Sequence, residues 1–114
     1  MAPIIIYHNP RCSKSREALK ILEEKQIAFE VREYLKEPPS VDEIRGLLKK
    51  LKLPIKDIIR TGEDEYTKHD LDQASDDDLI GAIAEYPILL QRPIVVHGQK
   101  AVIGRPASQI DLIL

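Results

Sequence analysis

An α/β fold is what this sequence predicts, and three observations carry the prediction. A short isoleucine-rich run, Pro3 to Tyr7, ends in the turn signal His8-Asn9-Pro10 and leads into a stretch of helix length. A second short run follows that stretch, and near the end of the chain two β-branched runs flank Gly98-Gln99. At 114 residues the chain is long enough for one compact domain and too short for two ordinary ones, so residues 1–114 are read as a single domain.

Pro3 to Tyr7 is too short for a typical helix and reads as a buried first strand. From Ser13 to Lys25 the apolar Ala18, Leu19, Ile21 and Leu22 fall on one stripe among Lys, Arg and Glu, the pattern of a helix packed on a sheet, and Cys12 stands at its N-terminus. Ile27 to Leu35 alternates apolar and charged residues and gives a second strand, joined to the first by a crossover of the parallel, right-handed kind. Pro38-Pro39-Ser40 stops the chain; Ser40 and Glu43 have the spacing of a capping box, opening a helix from Val41 to about Leu51. Pro54 to Ile59 predicts a short helix delivering Arg60, and Thr61 to Gln73 is acidic and poorly patterned. Ser75 with Asp78 caps a helix to about Tyr86, which Pro87 ends or restarts. Gln91 to His97 and Lys100 to Ile103 form a hairpin, and Arg105-Pro106 leads into a last short helix.

This order is a thioredoxin-like layout: an N-terminal βαβ unit, a helical insertion over approximately 41–89, and a C-terminal β-hairpin and helix. The insertion exceeds the connections usual in compact domains, and such additions often cover a site. It is expected to supply one wall of the active site.

Composition narrows the function. A 43% apolar and 32% charged chain is ordinary for a folded protein, which excludes disorder. Seventeen basic against nineteen acidic residues, mixed along the chain, exert no global pull on nucleic acid or an anionic membrane, so neither is expected as a partner. Lys49-Lys50-Leu51-Lys52 lacks an aromatic stacking platform and reads as a solvated face. The N-terminus lacks the basic start and long apolar core of a signal peptide, and no run approaches bilayer length; the expected address is the cytoplasm. No long exposed apolar stripe is evident, so a monomer is expected.

The single cysteine can form neither an internal disulfide nor a multi-thiolate metal site, and no metal or bound cofactor is expected. A thiol of pKa about 8.5 is only about 3% ionised at pH 7. A helix N-terminus favours the thiolate, because the amides of Ser13, Lys14, Ser15 and Arg16 are unpaired there and the dipole is positive. A shift to about 6.5 would raise the thiolate to roughly three-quarters. The same amides can cradle a tetrahedral oxyanion. Arg92-Pro93 and Arg105-Pro106 each hold an arginine just before a proline, and a guanidinium fixed in advance suits an oxyanion with its planar, bidentate donors.

The run His8-Asn9-Pro10-Arg11-Cys12-Ser13-Lys14-Ser15-Arg16 resembles the His-x3-Cys-x3-Arg signature of the glutaredoxin-coupled, ArsC-type arsenate reductases. Tyr34-Leu35-Lys36-Glu37-Pro38-Pro39, Ile59-Arg60, the stretch from Pro87 to Val96 and Gly104-Arg105-Pro106 agree in order and spacing, so the resemblance covers nearly the whole chain. It implies that Cys12 attacks arsenate or a related oxyanion, that Arg60, Arg92 and Arg105 bind it and depress the cysteine pKa, and that His8 supports Cys12 by local hydrogen bonding. It further implies glutathione as co-substrate, glutaredoxin as the partner that resolves a mixed disulfide, and a cis peptide at Arg92-Pro93. Arg16, one turn beyond the cysteine, either orients the loop or faces solvent. Arg11 and Lys14 make the loop bulkier and more basic than in the family's best-known resistance enzymes.

Other readings compete. Spx-type transcriptional regulators, which contact RNA polymerase, resemble the same family but use a Cys-x-x-Cys switch, and the second position here is Ser15. A cysteine phosphatase carries an arginine six positions after its cysteine, where this chain has Ala18. A metal site on His8 and Cys12 is weaker, since His69 and His97 lie in turn regions and read as solvated. Tyr7, Tyr34 and Tyr86 are assigned to packing.

Overall fold

A computed structural model describes residues 3–114; Met1-Ala2, the start of the stretch read for a targeting signal, lies outside them. The chain divides into two compact units, Met1–Glu37 with Arg92–Leu114, and Pro38–Gln91.

The first unit is built on a four-stranded sheet of order β2-β1-β3-β4. Its strands are β1 (Ile4–His8), β2 (Glu30–Glu33), β3 (Ile94–His97) and β4 (Lys100–Ile103), and helix α1 (Ser13–Glu24) connects the first two. β1 pairs in parallel with β2, as the crossover requires, and antiparallel with β3, which turns back into β4. The β3–β4 turn is the anticipated Gly98-Gln99, with Gly98 at φ 63, the positive value a two-residue hairpin turn demands of its first central residue. This is the thioredoxin-like fold expected from the element order.

Register decides which side chains meet. Val31, Ile6, Val95 and Val102 stand opposite one another across the four strands. On this face Ile4, Ile6 and Val95 pack with Ala18 and Leu22 of α1 and with Ile110 and Ile113 from the end of the chain. Each fully buried Leu or Ile here contributes about 1.5–3 kcal/mol relative to exposure.

Three sequence expectations need correction in this unit. β2 is confined to Glu30–Glu33 rather than Ile27 to Leu35, and Val31 is 46% exposed. As an edge strand β2 has one neighbour, so the alternation that suggested a longer strand is only half used: Phe29 reaches the core from outside it, and Tyr34 is buried beyond its end. The closing helix is a 3-10 segment, Ala107–Leu112, and His97 is half-buried rather than simply solvated: its Nδ1 lies 2.6 Å from the Ile113 carbonyl, tying the chain end to β3.

The second unit carries α2 (Val41–Leu51), α3 (Asp64–Lys68) and α4 (Asp76–Glu85), with single 3-10 turns at Ile55–Asp57, Leu71–Gln73 and Pro87–Leu89. Both expected caps form, Ser40 Oγ accepting from the Glu43 amide and Ser75 Oγ from that of Asp78. α2 packs on α4; α2 buries Ile44, Leu47 and Leu51, α4 buries Leu79, Ile80 and Ile83, and Arg45 pairs with Asp77 at 3.0 Å. The helix expected over Pro54 to Ile59 is only one 3-10 turn. The stretch Thr61 to Gln73, read as unpatterned, holds α3, which buries no residue and therefore leaves no apolar period to detect. No helix among the described residues is long and apolar enough to cross a membrane.

Candidate active site

The site grows out of the turn between β1 and α1. His8 and Asn9 are buried, and the Cys12 amide donates to the Asn9 carbonyl at 3.0 Å, closing a tight turn. Asn9 Oδ1 accepts from the Arg11 amide at 3.0 Å, the local bond that suits asparagine to turns. Arg16 reaches back from α1 and donates to the Pro10 carbonyl at 2.9 Å. Both features the sequence left open for Arg16 are present: the side chain is exposed, and it braces the loop.

Ser15 knots this turn together. It is fully buried; its Oγ accepts the Asn9 amide at 3.0 Å and sits 2.6 Å from His8 Nδ1. One hydroxyl oxygen thus ties the buried ring of His8 and the Asn9 amide to the first turn of α1. Burial lowers the His8 pKa; the Glu33 charge opposes it, the Arg16 charge adds to it and the Ser15 backbone opposes it by hydrogen bonding, leaving the net shift downward and the ring neutral near pH 7. Residue types alone gave Asn9 no role and placed Ser15 only through its amide; the side-chain knot depends on three groups folding against each other.

Cys12 is the N-cap residue of α1, with extended backbone (φ −94, ψ 121), and its carbonyl accepts the first helical bond from the Arg16 amide. The sulfur closes no cap hydrogen bond, so the amides of Ser15 and Lys14 act on it as dipoles. Partial burial pushes the thiol up, while the Ser15 amide, the Arg92 and Arg105 guanidinium groups and the Lys14 amide bring it down to about 7. Roughly half of the protein then carries a thiolate at neutral pH. Ser13 opens α1 with an exposed side chain, and Lys14 pairs with Glu17 at 3.9 Å.

The arginines come from the loops that flank the hairpin. Arg105 Nη2 lies 3.7 Å from Cys12 Sγ, and its Nε donates to the Arg92 carbonyl at 2.9 Å. Arg92-Pro93 is cis, as the resemblance implied, and so is Arg105-Pro106, which was not foreseen. Gly104 packs beneath this pair, its amide donating to the Pro93 carbonyl at 2.9 Å. Thus His8, Cys12, Lys14, Ser15, Arg92 and Arg105 are gathered in the first unit. Arg60 belongs to the second, where Nη1 meets Gln91 Oε1 at 3.3 Å, Nε stands 3.8 Å from Glu63, and the backbone amide donates to Leu89. Among the described residues no group of three or more His, Cys, Asp or Glu is placed to hold a metal ion.

A lone thiol stands at the N-terminus of the helix after β1 of a thioredoxin-like fold, with the Arg92 and Arg105 guanidinium groups acting on it. The chain belongs to the ArsC family, whose model matches residues 7–113. It is 45% identical over 117 residues to an arsenate reductase of Neisseria meningitidis, covering the whole of both chains. It is 35% identical to an arsenate reductase of Escherichia coli, spanning all of this chain and 82% of that one. Among solved structures, an arsenate reductase from Vibrio cholerae superposes with a TM-score of 0.95 at 45% identity, covering 99% of this chain and 98% of that one.

Proposed function

We propose that this protein reduces arsenate to arsenite, with glutathione and glutaredoxin completing the cycle. The observation that carries the reading is the Cys12 thiol brought to about 7 with Arg105 Nη2 at 3.7 Å from it, a nucleophile and an anion clamp in one place. In this reading the amides of Ser13, Lys14 and Ser15 and the guanidinium groups of Arg92 and Arg105 take the oxyanion, Arg60 is the further oxyanion-binding arginine that the family resemblance implies, and no bound cofactor takes part. His8 acts through Ser15, holding the amide that faces the sulfur.

The chemistry balances with two thiols. Cys12 sulfur displaces one arsenate oxygen, which takes up protons and leaves as water, forming a sulfur–arsenic bond. Glutathione displaces a second water. The two sulfurs then join as a mixed disulfide, both sulfur–arsenic bonds break, and their electrons take arsenic(V) to arsenic(III), which regains water and leaves as arsenite. Glutaredoxin attacks the mixed disulfide and returns Cys12 as a thiolate. Only one cysteine is needed from this chain. The protein would work as a monomer in the cytoplasm, where glutathione keeps thiols reduced. The regulator reading is set aside, because position 15 is a buried serine bonded to His8 where a disulfide switch needs a second thiol.

The test is arsenite formation from arsenate by the purified protein with glutathione, glutaredoxin and a recycling system. Wild type is expected to turn over, Cys12→Ser to be inactive, and Arg92→Ala to lose roughly 100-fold in kcat/KM. A wild type that forms no arsenite while its thiol reacts rapidly with alkylating agents would contradict the assignment.

A further inference from the structure

Beside the cysteine turn lies a hollow of about 200 Å³, formed by the turn residues 8–11 and by Glu33, Leu35 and Lys36 at the end of β2. Its wall is the same Asn9–Cys12 turn that carries the thiol, so a molecule seated there rests against the reacting centre's own backbone. Arg11 is exposed, one residue from Cys12, and has no acidic partner among the described residues. Leu35 is 40% exposed, a large apolar side chain left open between charged ones. Lys36 and Glu33 meet only at 3.7 Å with both side chains solvated, a pair loose enough to be redirected at little cost.

We propose that this hollow is the subsite for the thiol co-substrate, and that it recognises glutathione by charge. The inference rests on the reduction proposed above. Glutathione at neutral pH carries two carboxylates and one ammonium; the hollow offers two cations, Arg11 and Lys36, and one carboxylate, Glu33. The signs match one for one. Arg11 supplies a planar fork for a carboxylate, Glu33 takes the ammonium, and Leu35 covers the apolar part of the peptide. A volume of about 200 Å³ lies below that usual for an enclosed small-molecule site, so the peptide is gripped along one side and its thiol stays free to reach Cys12. Substrate oxyanion and co-substrate thereby approach one sulfur from separately built sites.

The experiment isolates this subsite from arsenic chemistry. Cys12 is converted to its mixed disulfide with nitrothiobenzoate, and release of the coloured thiol is followed with glutathione and with mercaptoethanol, which is uncharged. The ratio of the two rate constants cancels any change in the reactivity of the disulfide itself. In the Arg11→Ala/Lys36→Ala double variant this ratio is expected to fall about fivefold, the size of two exposed charge contacts, and to recover partly in Arg11→Lys/Lys36→Arg. A ratio within about twofold of wild type in the double variant overturns the subsite. Arsenite formation is scored on the same preparations: a wild type that reduces arsenate with an unchanged ratio in the double variant sinks the subsite alone. A lowered ratio in a protein that makes no arsenite supports the subsite and sinks the proposed substrate.

Discussion

Arg105 lies against Cys12 through one end of its guanidinium, Nη2 at 3.7 Å from Sγ, while the other end, Nε, is bound to the Arg92 carbonyl at 2.9 Å. The second bond fixes the direction of the first. Removing the side chain therefore takes away both a positive charge and the strut between the two arginine loops. Arg105→Ala is expected to raise the Cys12 pKa by about one unit, seen as an upward shift in the pH midpoint of iodoacetamide alkylation. Arg105→Lys keeps the charge without the fork and should fall between the two. An unmoved midpoint in the alanine variant would show that Arg105 does not act on the sulfur.

Ser15 satisfies the buried Asn9 amide and His8 together. Ser15→Ala leaves both without that oxygen, and an unsatisfied buried donor costs about 1–3 kcal/mol. Urea unfolding should show a loss of that size. A loss below about 0.5 kcal/mol, the range of ordinary surface changes, would mean the turn repairs itself and the knot contributes little.

At Gly104 a methyl group would sit 3.0 Å from Pro93 Cγ and 3.6 Å from Ala18 Cβ. Neither neighbour is the free end of a flexible chain. Gly104→Ala should destabilise by about 1–3 kcal/mol through overpacking, and by displacing the Pro93 loop it should also weaken oxyanion binding. An unchanged Tm together with an unchanged KM for arsenate would contradict the close packing.

Stability should depend on pH through Cys12. The folded thiol titrates at about 7 against 9.0 for the free group, so the native state binds fewer protons between those values. Its contribution is complete above the unfolded value and is lost as pH falls through about 7. Compared with Cys12→Ala, wild type should gain stability as pH rises from about 6 to about 9, read from urea midpoints. A difference that is flat with pH would show that folding leaves the thiol unperturbed.

Much of the fold was legible because it is written in local signals. Val41–Leu51 and its Ser40 cap, the Gly98-Gln99 turn and the helix start after Cys12 all follow from periodicity, capping chemistry and turn residues. What escaped detection depends on tertiary context. α3 buries nothing, so its five residues carry no apolar period, and β2 is shortened by its place at the sheet edge. The site divides in the same way. Cys12 and the arginines before Pro93 and Pro106 announce themselves by residue type and position. The Ser15 bridge from His8 to Asn9 and the Arg16 bond to Pro10 do not, because each joins groups whose meeting is set by the folded turn.

The central claim is that the fold holds Cys12 as a thiolate poised at neutral pH, and one titration tests it directly. Because the chain has a single cysteine, the ultraviolet absorbance of the thiolate, taken as the difference between wild type and Cys12→Ser across pH, reports that group alone. The account predicts one transition with its midpoint at about 7. A midpoint near 9, that of an ordinary thiol, would contradict it.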